Sequence, residues 1–282
     1  MSAPAEFNAD LPTLVIESGR SEAHYWRDVW RYRELLGFLA WRDVKVRYKQ
    51  TVLGVIWALV QPIVTTGIFT LIFGKVARME EQVAVPFSLF VLSGVLPWQL
   101  FSAALSNSSA SLVGNAHLIS KIYFPRLVIP LSTLAVALVD FAVVLVLYLI
   151  LSVWFGIYPN WHWLLLPAMM LLALLVALGA GLWLTALTVK FRDFRYIVPF
   201  LLQVGLFLSP IGFRPEFAPN RAALLALNPM TGVIDGFRWC LLPAEVPLDA
   251  TRLLISLVMG LGLLLGGLWY FRRTERGFAD VI

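Results

Sequence analysis

Residues Leu127–Phe155 read LVIPLSTLAVALVDFAVVLVLYLILSVWF, a continuous apolar stretch with one charge, Asp140. About 20 such residues carry a helix across a hydrocarbon core about 30 Å thick. In lipid each backbone N–H and C=O must be satisfied within its own segment, which makes the stretch a helix. Five more runs share its character: Thr51–Gly74, Val83–Ser106, Trp163–Val189, Tyr196–Phe213 and Leu253–Phe271, none with a charged residue. The alternating pattern of a membrane barrel strand is absent. The expected fold class is therefore an all-α polytopic membrane protein with six transmembrane helices in a single domain, 51–271. A polar tail (1–20) and an N-terminal amphipathic interface helix (21–50) precede it, and a tail (272–282) follows.

Composition agrees: 60% of the 282 residues are hydrophobic and mean hydropathy is +0.80, far from a soluble domain. One cysteine, Cys240, excludes an internal disulfide and a multi-cysteine metal cluster. Met1–Arg20 is polar with three acids and lacks a signal-peptide layout, so the first span is expected to act as an uncleaved anchor. The net charge of +5 is better read through its distribution than as a nucleic-acid footprint. Lys and Arg number sixteen in the connections on one side of the spans and five on the other, with Arg252 at a boundary. That bias predicts both termini in the cytoplasm.

Within 21–50, Tyr25, Trp26, Trp30, Phe38, Trp41 and their neighbours alternate with cations at helical spacing, which suits an interface helix or a rigid lever into the first span. In the second connection, Asn107, Ser108, Ser109 and Ser111 offer caps for a short helix over 111–123, ended by Pro125. Its Leu118, Ile119, Ile122, Tyr123 and Phe124 place apolar surface outside the bilayer, which calls for a partner or the membrane face. The segment 210–251 is cut by six prolines. Asn228-Pro229 reads as a helix start, and Pro229–Leu242 as a 14-residue helix in which Asp235 and Arg238 can pair, either a lid or an external gate.

Motifs for chemistry are missing: no Walker-type phosphate loop, no metal-ligand spacing, no nucleophile triad. Asp140 is the one ionisable group at span depth, either a functional acid or an interhelical hydrogen-bonding group. Gly262–Gly266 and Ala177–Gly181 are small-xxx-small patterns that mark helix contacts. Trp57, Trp183 and Phe207 lie inside their spans and are candidates for core packing or for lining a path, where aromatic faces suit sugar rings.

In chain order, Arg42-Asp43-Val44-Lys45-Val46-Arg47-Tyr48-Lys49-Gln50-Thr51-Val52-Leu53-Gly54, Gln61-Pro62, Gly94-Val95-Leu96-Pro97-Trp98, Leu112–Arg126, Leu227-Asn228-Pro229-Met230 and the tail Tyr270–Asp280 resemble the type-2 ABC exporter permeases. These membrane subunits export O-antigen, capsule or teichoic-acid polymers. The resemblance runs from about Tyr25 to the C-terminus and is strongest to the O-antigen branch.

The resemblance implies a homodimer of this chain with two copies of a separate ABC ATPase that holds ATP and Mg, this chain binding no cofactor. It implies a lipid-linked glycan, usually on undecaprenyl diphosphate, as cargo, and residence in the bacterial inner membrane. It makes Asn115, His117, Leu118, Ile119, Lys121 and Tyr123 the ATPase-coupling residues. Arg42, Arg47, Lys49 and Arg192 become a cytoplasmic entrance for the diphosphate. Trp57, Trp183, Phe207 and Asp140 are the channel candidates, and Asn228, Pro229, Asp235 and Arg238 the external gate between spans five and six, built of re-entrant helices. Two alternatives stay open: a lipid or small-molecule permease of the same family, and an ion-coupled secondary transporter.

Overall fold

The computed structural model describes residues 22–49, 54–215, 225, 227–242 and 246–278. Residues 1–21, the Gln50–Leu53 junction, 216–224, 226, 243–245 and the last four residues lie outside the described residues. Among the described residues there are ten α-helices: α1 (Glu22–Arg31), α2 (Arg33–Lys49), α3 (Gly54–Phe69), α4 (Phe87–Gly114), α5 (Ala116–Lys121), α6 (Val128–Trp154), α7 (Leu166–Lys190), α8 (Phe194–Leu208), α9 (Pro229–Leu241) and α10 (Ala250–Thr274). No strand occurs among the described residues.

Among the described residues, five helices are long and apolar enough to cross a membrane: Ile56–Val76, Phe87–Gly114, Val128–Trp154, Trp161–Lys190 and Ala250–Thr274. The first joins α3 to a π-helix over Thr70–Val76. Central α4 is buried on almost every face and packs on α6, α7 and α9.

At 28 residues α4 is about 42 Å long, beyond the hydrocarbon core. The expected connection from Asn107 to Gly114 is therefore still helix, and the short helix expected over 111–123 shrinks to α5. The serines expected as caps turn back on their own helix instead: Ser109 donates to Ser106 O at 2.8 Å and Ser111 to Ser108 O at 2.6 Å. A hydroxyl with no free N–H nearby takes the carbonyl a turn behind it.

The span expected over 196–213 is a 15-residue helix, about 22 Å long. It stops because Pro210 excludes helical geometry from the residue before it, and Ser209 is extended, with φ −89° and ψ 145°. The chain does not then leave the bundle: Ser209, Pro210, Ile211 and Gly212 are all buried.

α9 meets these stranded groups. Asn228 caps it, accepting from Met230 N at 3.0 Å, and its amide donates to Ser209 Oγ at 2.9 Å. Fully buried Arg238 donates to Ile211 O at 2.5 Å and Phe213 O at 3.1 Å. Its guanidinium lies 4.0 Å from the Phe90 ring centroid on α4, a cation–π contact. Only a glycine fits opposite, because a β-carbon on Gly94 would stand 2.9 Å from Arg238 and 3.2 Å from Ile211. Asp235 pairs with Arg252 of α10 at 3.0 Å.

Two apolar cores result. One fills the space among α4, α6, α7 and α9; the other, around Leu39, Leu112, Ile119, Phe124 and Phe271, joins α2 to the ends of the long helices. α7 and α10 make the most extensive pairing. Its closest approach is through Gly179 and Gly267: a β-carbon on Gly179 would lie 2.6 Å from Leu264 N, while Gly262 faces open space.

Arg238→Leu leaves two buried carbonyls without a donor, each worth about 1–3 kcal/mol. The detergent-solubilised variant is expected to lose about 3 kcal/mol, a fall of roughly 10 °C in unfolding temperature for a chain of this size. An unchanged melting curve would refute the clamp.

Candidate functional site

The α1–α2 arm crosses the end of the bundle where the described chain ends meet, and polar contacts secure it along its length. Near its start Tyr25 donates to Glu275 Oε2 at 3.0 Å, and Arg126 N donates to Glu275 Oε1 at 2.9 Å. Arg272 lies 4.5 Å from the Tyr25 ring centroid. Further along, Tyr32 donates to Tyr123 O at 3.2 Å, just past α5. Arg42 then donates to Asn115 Oδ1 at 2.8 Å, at the α4–α5 joint, and pairs with Asp43 at 2.7 Å. At the far end Arg47 pairs with Asp140 at 2.6 Å, and Tyr48 donates to the other carboxylate oxygen.

Asp140 lies 12 residues into α6, about 18 Å along its axis. The arm therefore does not lie flat at one depth: its last turn reaches the middle of a spanning helix. Asp140 thus holds helices together, the second of its two expected roles. Arg47 and Asp140, read separately as entrance and channel residues, form one ion pair. Arg42 and Asn115, read as entrance and coupling residues, form one hydrogen bond.

Arg42, Lys45, Val46 and Lys49 border a groove of about 390 Å³, a cationic concavity suited to phosphate oxygens. Arg192 is exposed on the α7–α8 connection and does not line it.

The coupling residues separate by face. Ile119 is buried and Leu118 packs beside it in the second core, so both anchor α5. His117, Lys121, Ile122 and Tyr123 are exposed, the last two at 55% and 64%.

The four channel candidates do not converge. Trp183 stacks on Tyr270 of α10, centroids 4.7 Å apart and planes 15° off parallel, and so packs the α7–α10 contact. Trp57 is exposed on α3, and exposed Phe207 of α8 stacks on Phe69 at 5.8 Å.

Around those two the structure adds residues that sequence reasoning missed. Trp57, Gln61, Val64 and Ile68 form one exposed stripe of α3; Tyr196, Phe200, Gln203 and Phe207 form one exposed stripe of α8. Both follow the 4-3-4 spacing of a single helical face. That spacing, with one glutamine in each otherwise apolar run, was the available signal.

Five helices long and apolar enough to cross a membrane, packed around a buried centre, define the chain as a multi-pass membrane protein. The family model described as ABC-2 type transporter matches residues 34–242. The chain is 30% identical to the O-antigen export system permease protein RfbA of Myxococcus xanthus, over 91% of its own length and 98% of the relative's. To the protein of the same name from Klebsiella pneumoniae it is 27% identical over 88% and 95%. To the polysialic acid transport protein KpsM of Escherichia coli it is 25% identical over 83% and 91%. The chain belongs to the ABC-2 type transporter family.

Two predictions concern the arm. Burial raises the Glu275 carboxyl above its ordinary 4.5, outweighing the bonds from Arg126 N–H and Tyr25 that stabilise its charge. The folded chain therefore holds that proton to higher pH than the unfolded chain does. Attachment of α1 is strongest below pH 4.5 and weakens as pH rises through the raised value. Proteolysis within 22–31 should accelerate over that window, and Glu275→Gln should flatten the profile; parallel profiles would refute the linkage. Separately, a thermal double-mutant cycle of Arg47→Gln and Asp140→Asn should give a coupling of about 0.5–1 kcal/mol, discounted because Arg47 is nearly half exposed. Strict additivity would mean that the pair is not formed in the membrane.

Proposed function

We propose that this chain is the membrane-spanning subunit of an ATP-driven exporter of lipid-linked polysaccharide in the bacterial inner membrane. It works as a homodimer with two copies of a separate ABC ATPase, which holds the ATP and Mg. The observation that carries this reading is the pair of exposed stripes on α3 and α8. A glutamine facing hydrocarbon leaves several hydrogen-bonding groups unsatisfied. Faces carrying Gln61 and Gln203 therefore suit contact with a second copy or with a hydrated path. Aromatic rings between them offer sugar faces a repeated, shallow contact that favours sliding over tight binding. The names of the relatives point to a polymer of sugars, and an undecaprenyl diphosphate carrier fits the cationic groove of Arg42, Lys45 and Lys49.

Both termini lie in the cytoplasm on this reading, as the charge bias implies. The domain limits are those of the sequence: arm 21–50, six-span unit 51–271, tail 272–282. α8 together with the buried Ser209–Phe213 makes the sixth crossing, and the connection holding α9 is the re-entrant external gate. Asn228 and Arg238 brace that gate, and Asp235 ties it to α10. ATP binding closes the partner dimer and α5 transmits the movement; nucleotide must favour one arrangement of the spans over another for hydrolysis to do work. An ion-coupled mechanism finds less support, since Asp140 is engaged by Arg47 and Tyr48.

Purification from host membranes should recover an ATPase with a Walker motif in equal amount. Replacing Ile122 and Tyr123 with alanine should weaken that association by about 2 kcal/mol, roughly thirtyfold, with the permease still folded. Polysaccharide should stimulate the ATPase of the assembled complex. A chain that purifies alone would sink the half-transporter reading, and stimulation by lipid without glycan would change its cargo.

A further inference from the structure

Between Thr70 and Val76 the first spanning helix widens into a π-helix, a costly geometry concentrated at functional sites. Beside it, α3, the π-helix, α4 and α6 border an open cavity of about 430 Å³, many times the ~30 Å³ share of one water molecule. Ile63, Leu92, Leu147 and Leu151 give it apolar walls. Gly67 borders it without obstruction, since a β-carbon there would meet nothing within 4 Å.

Polar groups stand along this cavity in a definite order. Lys75, exposed, lines one end and has no carboxylate within ion-pair distance among the described residues. Thr70 follows about 7 Å deeper and Thr66 about 6 Å beyond that, at ~1.5 Å of helix rise per residue. Thr66 is 9% exposed, and the hydroxyls of both threonines are buried without a hydrogen-bond partner among the described residues. Unmade hydrogen bonds in such a wall cost free energy that a ligand's oxygens would recover. Beyond Thr66 the wall is hydrocarbon. Cation, hydroxyls, apolar groove is the complement of phosphate, ester oxygens, acyl chain. The cavity side of α3 is also separate from the Trp57–Gln61 face: at ~100° per residue, Thr66 and Thr70 point more than 120° away from that stripe.

We propose that this cavity binds one anionic phospholipid of the surrounding bilayer, with its phosphate at Lys75, its ester oxygens at Thr70 and Thr66, and an acyl chain beside Gly67. The site belongs to the bilayer side of α3, so it does not depend on the cargo assigned above.

Native mass spectrometry of the purified full-length chain tests it, with phosphatidylglycerol and phosphatidylcholine of matched chains as probes. The expected result is one phosphatidylglycerol per chain, held about tenfold tighter than phosphatidylcholine, whose trimethylammonium repels Lys75 and offsets the attraction of the phosphate that both lipids carry. Lys75→Gln should erase that preference, and Gly67→Phe should remove binding of both lipids. Thr66→Val with Thr70→Val, which deletes the hydroxyls at nearly constant shape, should weaken both lipids severalfold and guards against a folding defect in the phenylalanine variant. Equal affinity for the two headgroups, or retention unchanged in the valine pair, would overturn the proposal. So would displacement of phosphatidylglycerol by an equimolar amount of undecaprenyl phosphate, which would make this a carrier site.

Discussion

A helix that ends inside a packed apolar bundle leaves carbonyls that its surroundings cannot solvate, and the architecture follows from how those at the end of α8 are met. Ile211 and Phe213 take hydrogen bonds from Arg238. This requires α9 to lie against the broken end, which requires Asn228 to start it beside Ser209. It also requires α4 to present a glycine and an aromatic face at that level, Gly94 and Phe90. A buried guanidinium is tolerated because carbonyl dipoles and a π face replace its hydration. The burial of α4 is thus a consequence of the break as well as of its own apolar sequence. Removing the arginine would leave both partners of the bargain exposed to a medium with nothing to offer them.

Hydropathy made the long spans legible, because crossing hydrocarbon is a condition each segment meets alone. The Asn228-Pro229 start was legible for the same reason: a cap is a local device. The errors share a different origin. Asn107–Ser111 carry residues that cap helices and equally bond back within them, and only the length of α4 decided between the two. Asp235 reaches Arg252 on another helix, a partner that local spacing does not report. Tyr25 and Glu275 are 250 positions apart, beyond what periodicity reports. Gly262 matched a contact pattern and faces open space, whereas Gly179, the middle residue of the Ala177–Gly181 pattern, and Gly267, outside both patterns, set the α7–α10 approach. The two glutamine stripes were present in the sequence, but their exposure depends on which helix faces the packed centre takes.

The arm gives the molecule a mechanical logic that none of its helices has alone. It is bonded in turn to the segment after α10, to the end of α5, to the α4–α5 joint and to the middle of α6. Leu39 locks its centre into the second core. A displacement of α5 by a docked partner therefore cannot stay local: it pulls on Arg42 through Asn115, and on Arg47 and Asp140 through the rigid length of α2. The contacts are modest singly, as exposed and half-exposed pairs are. Distributed along one helix, they bias a single movement together.

α3 separates two environments, and its sequence is divided accordingly. One face carries Trp57 and Gln61, a polarity that lipid does not tolerate and that a second copy or a hydrated path does. More than a quarter turn away, its threonines and the widened turn before Val76 border a cavity whose apolar walls suit an acyl chain. A helix exposed only to lipid needs neither glutamine nor buried hydroxyls, and one packed only in a core would not leave Trp57 and Ile63 exposed. The combination is explained when α3 stands between two environments, one that accepts a glutamine and one with apolar walls. Widening over Thr70–Val76 then affects both sides at once, because a π-turn rotates the residues beyond it relative to those before it.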